Sequence, residues 1–252
     1  MRPRGTRIFR SLLLVAASVS LMVPSEVLGQ GGDGFLFKRP KVQLSIRGNY
    51  FLPRAGSQIF DDTREQLTVE KSDFYTVGVG GEVAVRIAER VDVAFDFGYG
   101  RSETFSEFRD FVGTDDLPIE QTTTFTRVPV TANVKLYLTD RGRSISRLAW
   151  IPTKVAPYVG AGAGVVGYRF TQTGEFVDFN NLDIFNDRFT SSGAAPTAQG
   201  FAGVDLSIGG NWVLTGEARY SVGNVEMDAD FVGFDNIDLT GLQVTVGLGV
   251  RF

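Results

Sequence analysis

Thr245-Val246-Gly247-Leu248-Gly249-Val250-Arg251-Phe252, the last eight residues, alternate apolar side chains with small or polar ones. The alternation reaches back through Val244 and Gln243. A strict period of two makes a strand with one apolar and one polar face. This strand stops on an aromatic residue.

Working back along the chain, seven more segments carry the same period. They are 41–51, 74–88, 91–101, 123–139, 155–170, 198–208 and 212–222, with the last strand over 239–252. In the third, Val93, Phe95, Phe97 and Tyr99 oppose Asp92, Ala94, Asp96 and Gly98. In the fourth, Val128, Val130, Ala132, Val134, Leu136 and Leu138 oppose Arg127, Thr131, Asn133, Lys135 and Tyr137. The fifth reads PYVGAGAGVVGYRF, and its glycines leave its facing open. The connections after the second and sixth segments are a few residues long, whereas those after the first, third, fifth and seventh run to a dozen residues or more. Short turns on one rim and long loops on the other describe an up-and-down barrel. The stretch 140–154 breaks the rule. It carries Arg141, Arg143, Arg147 and Trp150 and reads as a basic excursion at the membrane surface.

The amino end agrees with export. Arg2, Arg4, Arg7 and Arg10 precede an apolar run over 11–23, and small residues lead to a cleavage site near Gly29. Residues 1–29 therefore read as a signal peptide, 30–38 as a short glycine-rich stub, and 39–252 as one barrel domain. The apolar run is too short to span a bilayer, which takes roughly 20 residues.

Composition narrows the function. The chain has no cysteine, so an exported protein of this size has no disulfide and no thiolate metal site. It has no histidine, the usual general base and zinc ligand. No catalytic residue, cofactor site or metal site is assigned, and the chain does not read as an enzyme.

Alternation alone does not say which face meets lipid, and a soluble lipid-binding periplasmic barrel has the same pattern. Segment length decides for the membrane, because tilted spanning strands need roughly 9–11 residues and soluble strands usually run about 5–6. Aromatic placement agrees. Tyr50, Tyr75, Tyr99 and Tyr220 fall at loop-side strand ends and Trp212 and Phe252 at turn-side ends, as in two interfacial girdles. Eight strands enclose an interior about filled by side chains, so a wide pore is not expected.

The strand count, the leader, the VPVTANVKLYL and PYVGAGAG segments and the closing TVGLGVRF resemble the bacterial outer-membrane β-barrel domain family. That family includes the membrane domain of outer-membrane protein A and the small outer-membrane proteins X and W. The resemblance implies an all-β, eight-stranded antiparallel transmembrane barrel with long extracellular loops, in the outer membrane and monomeric. It also implies insertion by the barrel-assembly machinery, with Thr245, Gly247, Val250 and Phe252 as the assembly signal. Its motifs carry no shared catalytic residues, and the barrel enzymes of the outer membrane resemble one another in needing a histidine.

Two sets of residues remain as candidate sites. Glu82, Arg86, Asp92, Asp96, Arg127, Lys135, Asp205, Glu217 and Arg219 lie on polar strand faces and are read as an interior charge network. A static network filling the core is preferred over a plug that opens, since opposite charges satisfy one another there. The segments 52–73, 102–121, 171–196 and 223–238 form the second set, with 20 acidic and 5 basic residues. Clusters such as Asp61-Asp62, Asp115-Asp116 and Asp228/Asp230 offer oxygen ligands to divalent cations, though a solvated rim explains them as well. The same segments hold ten phenylalanines, among them Phe60, Phe108, Phe189, Phe231 and Phe234, read as a packed cap over the barrel mouth. Loops this acidic exclude nucleic acid as a partner and leave lipid and lipopolysaccharide. A structural or surface-interaction role is expected, with a narrow passive channel for small or hydrophobic solutes as the alternative.

Overall fold

A computed structural model describes residues 36–113, 116–146, 149–178 and 181–252. The expected leader, most of the stub, Asp115, Arg147 and Phe179 lie outside them. Eight antiparallel strands close into a barrel: β1 (Val42–Pro53), β2 (Thr76–Arg86), β3 (Val91–Val112), β4 (Pro118–Tyr137), β7 (Val155–Val177), β8 (Ile184–Ser207), β9 (Trp212–Val222) and β12 (Gly241–Arg251). Each pairs with its sequence neighbour in the barrel, and β12 closes on β1 from Gln43↔Arg251 to Pro53↔Gly241. Two small hairpins stand outside the ring: β5 (Gly142–Ser146) with β6 (Ala149–Pro152) on the turn side, and β10 (Asn224–Val225) with β11 (Ile237–Asp238) on the loop side.

The barrel is lopsided. Strands β1, β2, β9 and β12 have 11 or 12 residues, the span of a bilayer. Strands β3, β4, β7 and β8 have 20 to 24. At about 3.3 Å per residue the extra length carries four strands roughly 30 Å further along their own direction. Two of the long connections are thus mostly strand: of the residues read as loop over 102–121 and 171–196, β3 runs on to Val112, β4 starts at Pro118, β7 runs on to Val177 and β8 starts at Ile184. The other two, 54–75 and 223–240, are true loops. The first carries the helix α1 (Gln58–Gln66) and a 3-10 turn, Lys71–Phe74.

The alternation keeps its period of two along the long strands but changes sense. In the lower part of β4, Val134 and Leu136 point outward and are about half exposed, while Lys135 and Tyr137 point inward and are buried. In the upper part of the same strand the outward residues are Thr122, Thr124 and Thr126, and the inward ones are Ile119, Thr123 and Phe125. Strand β7 does the same. Val155, Val159 and Val165 face out below, and Val166, Tyr168 and Phe170 are buried above. An apolar exterior suits hydrocarbon and an apolar interior suits water. The change of sense near Val128 and Val165 marks the edge of the lipid belt.

Gly160, Gly162 and Gly164 of β7 face inward and make room for neighbours. A Cβ on Gly160 would lie 2.3 Å from the Phe201 ring, and one on Gly162 would lie 2.0 Å from Asn133 Oδ1. This settles the facing that the sequence left open.

Candidate functional site

The inward charges of the lower barrel meet at its waist. Arg47 stands at the centre, with ion pairs to Glu82 at 2.5 Å, Asp96 at 2.8 Å and Glu217 at 3.5 Å. Lys135 Nζ lies 2.5 Å from the second Glu82 oxygen, and Arg219 Nη2 lies 2.7 Å from Glu217 and 3.3 Å from Asp96. The Tyr158 hydroxyl donates to the remaining Glu217 oxygen at 2.8 Å. Three cations and three carboxylates balance, each buried among the others. The cluster therefore carries no net charge, the condition for burying so many ions together. Gly247 shapes the site from the facing strand: a Cβ there would approach the Arg47 side chain to 3.1 Å.

The other polar-face charges lie elsewhere. Arg127 sits at the loop-side end, 3.4 Å above the Phe51 ring, and donates to the Leu239 carbonyl. Asp205 and Asp92 sit on the turn side. Asp205 accepts from Tyr137 and Thr215, and Asp92 pairs with Arg141 at 2.6 Å. Arg86 reaches only backbone carbonyls of the β2–β3 turn, Ala88 and Glu89. The hairpin at 140–154 brings Arg141 to Asp92 and buries Trp150, and Leu36 bridges to Trp150. It folds under the barrel mouth rather than lying as a basic arm on the membrane surface. Arg47 is the residue that sequence reading passed over. It stands on the polar face of β1, but its centrality depends on which strands the closed ring brings opposite.

Above the waist the mouth is filled by rings. Phe60 on α1 is fully buried, with Phe74, Phe125 and Phe170 at centroid distances of 4.9, 5.7 and 6.0 Å. Phe231 stacks edge-on against Phe170 and Phe234 and reaches Phe189. Burying each such ring contributes about 1.5–3 kcal/mol. The loops at 54–75 and 223–240 thus drop onto the apolar inner wall of the raised strands. Phe105 stays exposed, and Phe176 and Phe185 stack beside Phe189.

The acidic loop residues have a definite task. Above the rim β3 and β8 are sheet edges, and open edges invite pairing with other chains. Thr68 and Glu107 exchange hydrogen bonds along the β3 edge. On the β8 edge, Asp230 accepts from the Thr190 N–H at 2.8 Å and Asp228 from the Ser192 N–H at 3.1 Å. Asp235 accepts from the Gln58 N–H, joining one loop to the other. Asp61 pairs with Arg64 on α1. Among the described residues no three carboxylates converge on a metal position.

At the seam, the Phe252 carbonyl accepts from the N–H groups of Lys41 and Val42, and Phe252 N–H donates to Val42 O. Thr245 is buried with its hydroxyl donating to Asn49, while Val250 faces out.

The outward apolar belt and closed meander define the class: an eight-stranded transmembrane β-barrel. Among solved structures the chain is similar to outer membrane protein OprG from Pseudomonas aeruginosa (12% identity over 86% of this chain and 99% of that one, TM-score 0.45). It is also similar to Neisserial surface protein A (14%, 88% and 100%, 0.43) and to outer membrane protein W of E. coli (17%, 85% and 99%, 0.42). No family model matches the chain, and no curated protein does.

Proposed function

We propose that the chain is a monomeric integral protein of the bacterial outer membrane, exported by a leader ending near Gly29, with a sealed lumen and a working surface on its raised loop-side wall. The role is structural or one of surface interaction, and no catalytic role is proposed. One observation carries this reading: the interior is closed twice, by the ion cluster around Arg47 and by the phenylalanine core around Phe60. Its outer belt contacts lipid, and the raised wall stands at the level of lipopolysaccharide. The closing strand, with Thr245, Gly247, Val250 and Phe252, serves the barrel-assembly machinery as its recognition signal.

The test is single-channel conductance of the refolded protein in planar bilayers. A silent protein is expected, and it should stay silent when residues 226–236 are replaced by a short flexible linker, because the waist cluster still closes the lumen. Steady discrete openings of the intact protein would overturn the sealed reading in favour of a narrow passive channel. Deleting Phe252 should lower the amount of barrel reaching the membrane, and unchanged levels would remove the assembly role of that residue.

A further inference from the structure

Several buried hydrogen-bond donors at the turn-side mouth have no acceptor. A cavity there is lined by Arg86, Asp92, Arg141, Trp150, Asp205 and Arg251. Each Asp205 oxygen already accepts one hydrogen bond, from Tyr137 or Thr215, and Arg141 Nη1 takes one Asp92 oxygen. Arg251 gives one Nη to Ser207, and its guanidinium carbon lies 5.8 Å from the Trp150 ring centroid. That leaves Arg141 Nε and Nη2, Arg251 Nε and the indole Nε1 of Trp150 buried with no acceptor among the described residues. Trp150 is 2% exposed and Arg251 7%. Asp92 Oδ1, also in the lining, is buried without a hydrogen-bond donor. Within the buried part Arg141 and Arg251 match Asp92 and Asp205, and the half-buried Arg86 with the exposed Lys41 at the lip adds positive charge beyond that balance.

We infer that this mouth binds a small oxyanion of the phosphate class, held by Arg141, Arg251 and the Trp150 N–H. A buried donor needs an acceptor, and the positive charge that Arg86 and Lys41 add at the rim draws a counter-charge. Water answers the first need alone, whereas an oxyanion answers both. Its several oxygens suit the fork of an arginine better than a single point charge does. Bound there, the anion ties the β5–β6 hairpin, through Arg141 and Trp150, to the last strand, through Arg251. The inference goes beyond the sealed-barrel reading and does not depend on it.

The chain has two tryptophans, so Trp212→Phe, which alters only the outward face, leaves Trp150 as the sole indole reporter. That variant, refolded in neutral detergent, is titrated with sodium phosphate and, at matched ionic strength, with sodium chloride. The expected result is a saturable change in Trp150 emission with phosphate alone, weakened at least tenfold by Arg141→Gln or Arg251→Gln. Folding of each variant is checked by the heat-dependent shift in gel mobility of an intact barrel. If neither folds, Arg141→Lys, which keeps the charge toward Asp92 but loses the fork, must show the weakening. An equal response to chloride would mean an adventitious ion only. No saturable response would mean the donors are hydrated, and either result overturns the inference. Refolding in phosphatidylglycerol vesicles separates the sources: a lipid phosphate already in place abolishes the response there while leaving it in detergent, and a free-phosphate site responds in both.

Discussion

Two stretches of β4, about ten residues apart, hold the wall of the barrel in opposite ways. Around Lys135 the strand turns charge inward and hydrocarbon outward. Around Phe125 it turns a ring inward and threonines outward. Backbone and pairing partners are continuous through both, since β4 pairs with β7 from Gln121↔Gly174 to Tyr137↔Tyr158. What changes is the medium outside. In lipid the exterior supplies no hydrophobic drive toward the lumen, so the interior is organised by matched charges. Above the lipid, water surrounds the wall, and the ordinary burial of apolar groups takes over. One strand thus carries a membrane protein below and a soluble one above.

The largest effect should come from breaking the lower arrangement. Arg47→Met removes the cation shared by Glu82, Asp96 and Glu217 and leaves three carboxylates facing two cations. Breaking a buried pair in this way typically costs about 3–5 kcal/mol. Equilibrium unfolding in lipid should show a loss of that order, and a midpoint equal to that of the parent protein would refute the shared-cation role. Glu217→Leu should act in the same direction, because Tyr158 loses its acceptor and Arg219 keeps only Asp96.

Breaking the upper arrangement should look different. Phe60→Ala removes a ring that touches three others, a change worth about 3–5 kcal/mol where it cannot relax. The loss should fall on the cap, with faster proteolysis over 54–75 and little movement of the barrel's own unfolding midpoint. If both moved together, the two cores would be one cooperative unit and the contrast between them would be weaker than drawn here.

The boundary can be located with arginine substitutions on the outward face of β4. Val134→Arg places a charge in the apolar belt and should cost about 2–4 kcal/mol. Thr124→Arg, higher on the same face, should stay within about 0.5 kcal/mol of the parent. Equal costs would mean that the change of sense in the alternation does not mark the lipid edge.

The same change of medium explains what the sequence made legible. All eight strands and their order, and the polar faces of all but the glycine-rich fifth, can be read from a period of two, because below the boundary every strand obeys one rule. The full lengths of β3, β4, β7 and β8 cannot, because Thr126-Arg127-Val128 breaks the expected sense of the pattern where lipid ends. Phe125 and Phe170 lie within segments read as strands, but a single sense throughout gives no sign that they begin an apolar inner wall. Arg47 was visible as a polar-face residue of β1, but three carboxylates reach it from β2, β3 and β9, which no local pattern brings together. The aspartates at 228 and 230 read as a charged rim, since only the structure shows which backbone edge they cover.

The smallest effect belongs to the exposed turn-side pair, where neither core operates. Arg90 Nε donates to Asp140 Oδ1 at 2.8 Å across two turns. This hydrogen bond and the charge behind it hold the Asp140 carboxyl below its ordinary range and raise Arg90. A carboxyl whose pKa is lower in the folded state stabilises that state above its unfolded value, about 3.9. The contribution fades as pH falls through the folded value. Both groups are fully exposed and screened by salt, so the effect should be slight. Carbon-detected titration of Asp140 should show its midpoint rise toward the ordinary value in Arg90→Ala, with the unfolding midpoint near neutral pH almost unmoved. A titration of Asp140 unaffected by that substitution would show that the pair does not persist in solution, and would limit the ordered ion pairs of this protein to places that water does not reach.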